Sequence, residues 1–273
     1  MAIGLECVDK AGFQYLEIPS FAATGLVRHG FSTRHGGVSG EPFSSLNLAL
    51  HVGDNPEAVR QNRQSLSSAL GINASHWVTA QQVHGARVAV VTGSDQGRGA
   101  VDYPDALPDT DALITRERGV PLATFYADCV PVFFLDPVTP AIGLAHAGWK
   151  GTVYRIPTET LKGMGRYFGT RPEDCLVGIG PSIGPCCFEV DEQVVIQFQA
   201  AFDFWPQVIT AAGEGKWLVD LWQVNLRALM EAGVPAENIT VAGECTRCHP
   251  ETYFSFRAEK GQTGRMGGVI MLR

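Results

Sequence analysis

Seven short apolar runs rich in β-branched residues, set off by turn-forming residues, place the first limit on what this chain can fold into. They fall at residues 88–91, 112–115, 130–135, 141–145, 177–179, 239–241 and 269–272. Most are apolar at consecutive positions, not alternate ones, which is the pattern of strands buried on both faces. Sheets built from such strands must be covered on each side by further apolar layers.

Three segments supply helices for that purpose. Asn55, Pro56 and Glu57 give a cap, a first-turn proline and an acidic first turn; Val59, Leu66 and Leu70 follow, and Gly71 closes the helix. Asp220 caps a second helix with Leu221, Val224 and Leu229 on one face and Gly233 as its end, and a third spans residues 191–202. These helices separate groups of strands and do not alternate with them, so the reading is α+β with mixed sheets and not a doubly wound parallel fold. At 273 residues and 45% apolar composition, with no low-complexity linker and no visible repeat, residues 1–273 read as a single domain.

The formal charge of −7 argues against a grip on a nucleic-acid backbone, which needs a basic stripe. A small-molecule partner fits better. No basic leader precedes a long apolar run and no segment reaches the length of a membrane span, so the expectation is a cytoplasmic protein without membrane contact. Seven cysteines spread over a long chain read as reduced thiols or metal ligands, not as the framework of a small secreted domain. Oligomeric state is not legible.

Three metal-binding side chains stand where apolar strands meet glycine-rich turns: His84, Cys129 and His146. Catalytic zinc takes three protein ligands of this kind and keeps a fourth position open. Their separation along the chain is no local motif, so residue type alone leaves each as either a ligand or a packed core side chain. Two rival groups exist. Cys245 and Cys248, followed by His249, have a zinc half-site or haem-attachment spacing, with a structural loop the simpler reading. Adjacent Cys186 and Cys187, if on a strand, point in opposite directions and do not share one ion.

An ordered series of blocks now carries more weight than any spacing: GFSTRHGGVS at residues 30–39, QVHG at 82–85, DTDAL at 109–113, ADCVPV at 127–132, AHAGWKGT at 145–152, GPSIG at 180–184, CFEV at 187–190 and TGRM at 263–266. In these the chain resembles, over nearly its whole length, the bacterial laccase-domain family, formerly described as multicopper polyphenol oxidases and now as purine nucleoside phosphorylase and adenosine deaminase enzymes. The resemblance implies a four-layer α/β/β/α fold and identifies His84, Cys129 and His146 as zinc ligands. It also implies phosphorolysis of adenosine, inosine, guanosine and methylthioadenosine, and deamination of adenosine.

Such chemistry needs a proton shuttle and, for phosphorolysis, an anion site. Asp128 is nearest the metal set. A ligand at Cys129 turns its strand neighbour away unless a turn intervenes, which favours a structural hydrogen bond for Asp128 over a catalytic role. Asp111 and Glu189 are further acid or base candidates, with turn-capping or buried hydrogen bonding as the plainer reading. For phosphate, Arg34 beside Gly36 and Gly37 comes first. Lys150 and Thr152 follow, at the opening of a helix expected to run through Leu161 and Phe168 and aim backbone amides at an anion. Arg265 is a weaker candidate, and all of these basic positions also read as solvated surface groups.

Other functions stay open at this stage. A copper-dependent polyphenol oxidase is one, since copper competes for nitrogen and sulfur sites, although the seven histidines form no His-x-His pair for a trinuclear cluster. Peptidoglycan-precursor editing, which the resemblance also suggests, is a second. A cysteine hydrolase with Cys129 as nucleophile and His146 as base is a third. A non-enzymatic zinc-binding module is the fourth.

Overall fold

The computed structural model describes residues 2–10 and 12–273. Its larger sheet has seven strands in the order Ala2–Ile3, Ile239–Val241, Leu176–Ile179, Val130–Asp136, Ala141–Ala147, Ala112–Thr115, Val88–Val90. Parallel pairs at both edges flank an antiparallel centre, so the sheet is mixed. A second, wholly antiparallel sheet orders its five strands Glu6–Lys10, Phe13–Glu17, Val27–Ser32, Met266–Leu272, Leu122–Tyr126. A small three-stranded sheet joins Glu189–Asp191, Lys216–Val219 and Ile209–Gly213.

Side-chain alternation explains why the central strands are apolar at every position. Ala112, Ile114, Val130, Val132 and Phe134 pack among the helices Ile156–Phe168, Leu221–Glu231 and Glu192–Ala201. Their neighbours Leu113, Phe133 and Leu135, with Ile142 and Leu144, face the second sheet and meet Leu122, Tyr126, Met266 and Ile270. On the far side of that sheet, Ala123, Phe125 and Val269 receive Leu66, Ala69 and Leu70 of the helix Pro56–Leu70. The result is the α/β/β/α layering. The two sheets pack so closely that a Cβ on Gly268 would lie 2.9 Å from Phe133, which leaves room there for glycine alone.

The capped helices form as their sequences dictate. Asn55 accepts from the Glu57 amide, Asp220 from Gln223 and Asp191 from Val194, and Gly71 closes its helix at φ 68°. Two expectations need correction. Most of the second sheet was not legible, because the edge strand Glu6–Lys10 and its neighbour Phe13–Glu17 are of mixed polarity. The helix expected to run on from Lys150 is broken: Trp149–Val153 ends before Arg155, whose φ of 59° turns the chain into a separate helix, Ile156–Phe168.

Leu144 sits fully buried between the sheets. Leu144→Ala should destabilise the fold by about 2–5 kcal/mol, read from denaturant midpoints, because neighbouring strands cannot collapse into the cavity. A loss well under 1 kcal/mol would contradict the two-sheet core.

Candidate active site

Strand register gathers the site at one end of the larger sheet. Ala112 pairs with Ala145 and Val130 with Ala147, so Asp111 lies opposite His146 and Cys129 opposite Gly148. Val88 pairs in parallel with Ala112, and the turn before Val88 delivers His84 to the same end. The second sheet ends there too: Met266 pairs with Tyr126, which sets Arg265 beside Ala127. Between Tyr126 and Val130 the chain crosses from one sheet to the other, and Asp128 makes the crossing in the left-handed region at φ 81°. That is the turn on which Asp128's orientation depended.

The ligand atoms of His84, Cys129 and His146 lie within 4.8 Å of one another. The two imidazoles meet edge to face, with centroids 4.8 Å apart. Gly148 forms the floor, where a Cβ would stand 2.7 Å from the His84 ring and 3.0 Å from the Cys129 sulfur. The donor set is two imidazoles and one thiol, and three protein ligands with room for a fourth is the composition of a catalytic zinc site.

Asp111 organises this set. Its Oδ1 meets His146 Nδ1 at 2.9 Å and accepts from the His84 amide, while its Oδ2 accepts from the amides of Val83 and Gly85. Those bonds fix one imidazole directly. They also hold His84 at its strained φ of 62°. A carboxylate behind a ligating histidine sets the tautomer and leaves Nε2 for a metal. Against the opposing effect of burial, the His146 hydrogen bond and charge hold Asp111 below the usual carboxylate range. Burial opposes ionisation of Cys129 as well, but the neighbouring His146 and His84 draw its thiol down to about 6. The partner effect raises His146 to about 9, since Cys129 and Asp111 outweigh desolvation.

A cleft of about 340 Å³ opens over these residues, with Phe125, Trp149 and Phe256 among its apolar lining and His51, Arg257 and Arg265 among its polar groups. A larger cleft of about 450 Å³ lies across the helix Ile156–Phe168 and contains none of the metal-binding residues. Although part of its surface is open to solvent, His51 is pulled down to about 4 by its enclosure among cleft residues and then by Arg265 and Arg63, so it is neutral near pH 7. Arg265 Nη1 donates to the carbonyls of Thr263 and Gly264, and its guanidinium lies 5.7 Å from the Phe256 ring.

Other expected groups are engaged elsewhere. Arg34 does not line the cleft: its guanidinium donates to Ser44 O and Pro250 O and pairs with Glu259 at 3.1 Å, tying loops together. Thr152 is buried, donating to Ala147 O and accepting from Asn225. Lys150 is exposed and leans over Trp149, outside the cleft. Neither of these two side chains therefore lines the cleft. Asp128 does line the cleft, where Thr246 Oγ1 donates to its Oδ1 and the Arg257 amide to its Oδ2. Asp111 is enclosed, and Glu189 lies on an exposed strand beside Lys216.

Sequence reasoning missed His51, Gln82 and Arg257. Gln82 was within reach, since it opens the QVHG block; its side-chain amide exchanges two hydrogen bonds with the Phe125 backbone and pins the His84 turn to the second sheet. His51 and Arg257 carry no local signal.

The comparisons with known proteins agree with this fold. A family model described as "Multi-copper polyphenol oxidoreductase laccase" matches residues 28–273. The chain is 41% identical over 244 residues to "Purine nucleoside phosphorylase YlmD" of Bacillus subtilis strain 168, covering 89% of this chain and 88% of that one. It is 35% identical over 265 residues to the "Purine nucleoside phosphorylase" of Bacteroides thetaiotaomicron, covering 97% of each. The crystal structure of YlmD from Geobacillus stearothermophilus superposes with a TM-score of 0.91 at 39% identity, covering 98% of this chain and 99% of that chain. Bacillus licheniformis YfiH, whose structure is described as that of a hypothetical protein, gives 0.92 at 37% identity with 97% of each chain covered.

Two outcomes follow from the geometry. Asp111→Asn sets an amide against amide donors, so zinc affinity measured by chelator competition should fall about 10- to 100-fold; unchanged affinity would remove Asp111 from its orienting role. In chelator-treated protein, alkylation of Cys129 followed by peptide mass spectrometry should stay fast down to about pH 6. An ordinary thiol slows below about pH 8.5. A midpoint at that ordinary value would overturn the thiolate assignment.

Proposed function

This chain belongs to the multi-copper polyphenol oxidoreductase laccase family, and we propose that it is a zinc-dependent enzyme of purine nucleosides. The proposed reactions are phosphorolysis of adenosine, inosine, guanosine and methylthioadenosine, and hydrolytic deamination of adenosine to inosine. The observation that carries the reading is the convergence of His84, Cys129 and His146, braced by Asp111, at the base of an aromatic-lined cleft. The names of the relatives supply the substrate class.

His84, Cys129 and His146 are the proposed zinc ligands, with Cys129 as thiolate and His146 binding through the ring nitrogen that Asp111 leaves free. When bound, zinc supplies a Lewis acid and makes a water acidic enough to ionise near neutrality. The chain's own groups do the rest. Phe125, Trp149 and Phe256 give apolar surface against which a planar base is held and water excluded. Arg265 is the proposed phosphate group, as a cation on the cleft wall close to the metal ligands.

In phosphorolysis, a phosphate oxygen forms a bond to ribose C1′ while the bond from C1′ to the purine nitrogen breaks. The products are the free base and ribose 1-phosphate, or the methylthioribose ester from methylthioadenosine. Neutral His51 is the proposed proton relay, taking the proton of the attacking hydrogen phosphate and passing it to the departing purine nitrogen, because it faces the cleft while both oxygens of Asp128 and Asp111 are occupied by hydrogen bonds.

The test follows adenosine and inosine with and without phosphate, alongside metal content. Base release should require phosphate and fall at least 100-fold in Cys129→Ala together with loss of bound zinc. Arg265→Ala should raise the KM for phosphate about 10- to 100-fold, the worth of one charged hydrogen bond, with zinc retained. Metal-free protein that still turns over substrate would move Cys129 to a nucleophile's role, and copper-dependent phenol oxidation would sink the zinc reading.

A further inference from the structure

Four of the remaining cysteines come together on the opposite side of the crossing turn. Cys186 and Cys187 lie in the turn that follows Gly184, and Cys245 and Cys248 lie in a second turn that the isolated Ser182 to Cys245 bridge holds alongside. Vicinal cysteines on a strand would diverge; here the Cys187 and Phe188 amides both donate to Gly184 O, and the tight turn lets both thiols face the same way. All four sulfurs lie within 4.8 Å of one another, with Cys186 and Cys187 at 3.5 and 3.4 Å from Cys248.

We propose that Cys186, Cys187, Cys245 and Cys248 form a second metal site, a tetrathiolate site for a structural zinc ion, separate from the His84, Cys129 and His146 set. Four sulfurs each about 2.3 Å from a tetrahedral ion stand about 3.8 Å apart, within the spread observed here. The second turn is the C-x-x-C unit of structural zinc sites: the Cys248 and His249 amides donate to Cys245 O, closing the turn. The Gly184 amide donates to the Cys245 sulfur at 3.2 Å, as backbone amides do to ligating thiolates. A side chain at position 184 would collide with Trp222 and Cys245, so the approach needs glycine.

Charge makes the same argument. Four thiols this close cannot all ionise without a cation among them. Arg257 donates to Cys187 O and Glu189 O, which places a positive charge beside the first turn. His249 is turned outward onto Glu251 and is not part of the set.

The site would clamp two walls of the catalytic cleft. The first turn carries Ile183 and Phe188, and the second leads into Phe256 and Arg257 after Thr246 has bonded to Asp128. Both segments are loops with little regular structure, which a metal cross-link fixes where a sheet does not.

Zinc is counted by elemental analysis and native mass spectrometry on the full chain purified under reducing conditions without added metal. Wild type should hold two zinc ions, Cys129→Ala one, and Cys186→Ser/Cys248→Ser one. The Cys129→Ala chain leaves the four thiols untouched, so a folding failure of the double variant does not decide the matter. Loaded with Co2+, Cys129→Ala should show intense sulfur-to-cobalt charge transfer with the visible bands of a tetrahedral ion. Cys129→Ala protein that binds neither zinc nor cobalt would overturn the proposal, and so would an intact mass lighter by the hydrogens of a disulfide among these cysteines.

Discussion

The Asp111 carboxylate is the contact on which the site depends. It accepts from three consecutive backbone amides, Val83 to Gly85, and braces His146 through Nδ1. A turn with three amides pointing inward has no internal partner for them, and a fully buried carboxylate has no solvent; each makes the other tolerable. Remove that exchange and His84 loses the force holding it in the left-handed region, while His146 loses the group that fixes its ring.

The packing of the two sheets then decides what surrounds the ligands. Because the chain passes directly from Leu122–Tyr126 in one sheet to Val130–Asp136 in the other, residues 127–129 must lie where both sheets end. Tyr126 reinforces the junction by donating its hydroxyl to Ala145 O, with its ring beside His146. Arg265 arrives from the neighbouring strand of the second sheet. The candidate metal set at one end of the larger sheet and a cation at the end of the other thus face a common cleft, His146 on a strand and His84, Cys129 and Arg265 on connecting segments that lead into strands.

The loops closing the remaining sides are tied to this frame by polar contacts. Asp128 holds Thr246 and the Arg257 amide, Arg34 joins Ser44, Pro250 and Glu259, and Gln82 grips the Phe125 backbone. Several residues whose chemistry suggested substrate contact serve here as ties. An arginine beside two glycines reads as an anion site from sequence, yet the same guanidinium is equally suited to gathering two carbonyls and a carboxylate from three segments.

The sequence by itself determined the two-sided central strands and the three capped helices, because burial on both faces and capping are properties of residues and their immediate neighbours. His84, Cys129 and His146 were legible through residue type and the family blocks, and Asp111 was visible as a carboxylate without its purpose. Only the tertiary structure decided which groups meet. Edge strands such as Glu6–Lys10 carry no apolar signature, His51 and Arg257 reach the cleft through long-range packing, and Cys186 and Cys187 face Cys248 because a turn, not a strand, carries them. Strand register and the crossing at Asp128 set those distances, and register is fixed by pairing between segments far apart in the chain, which no local pattern records.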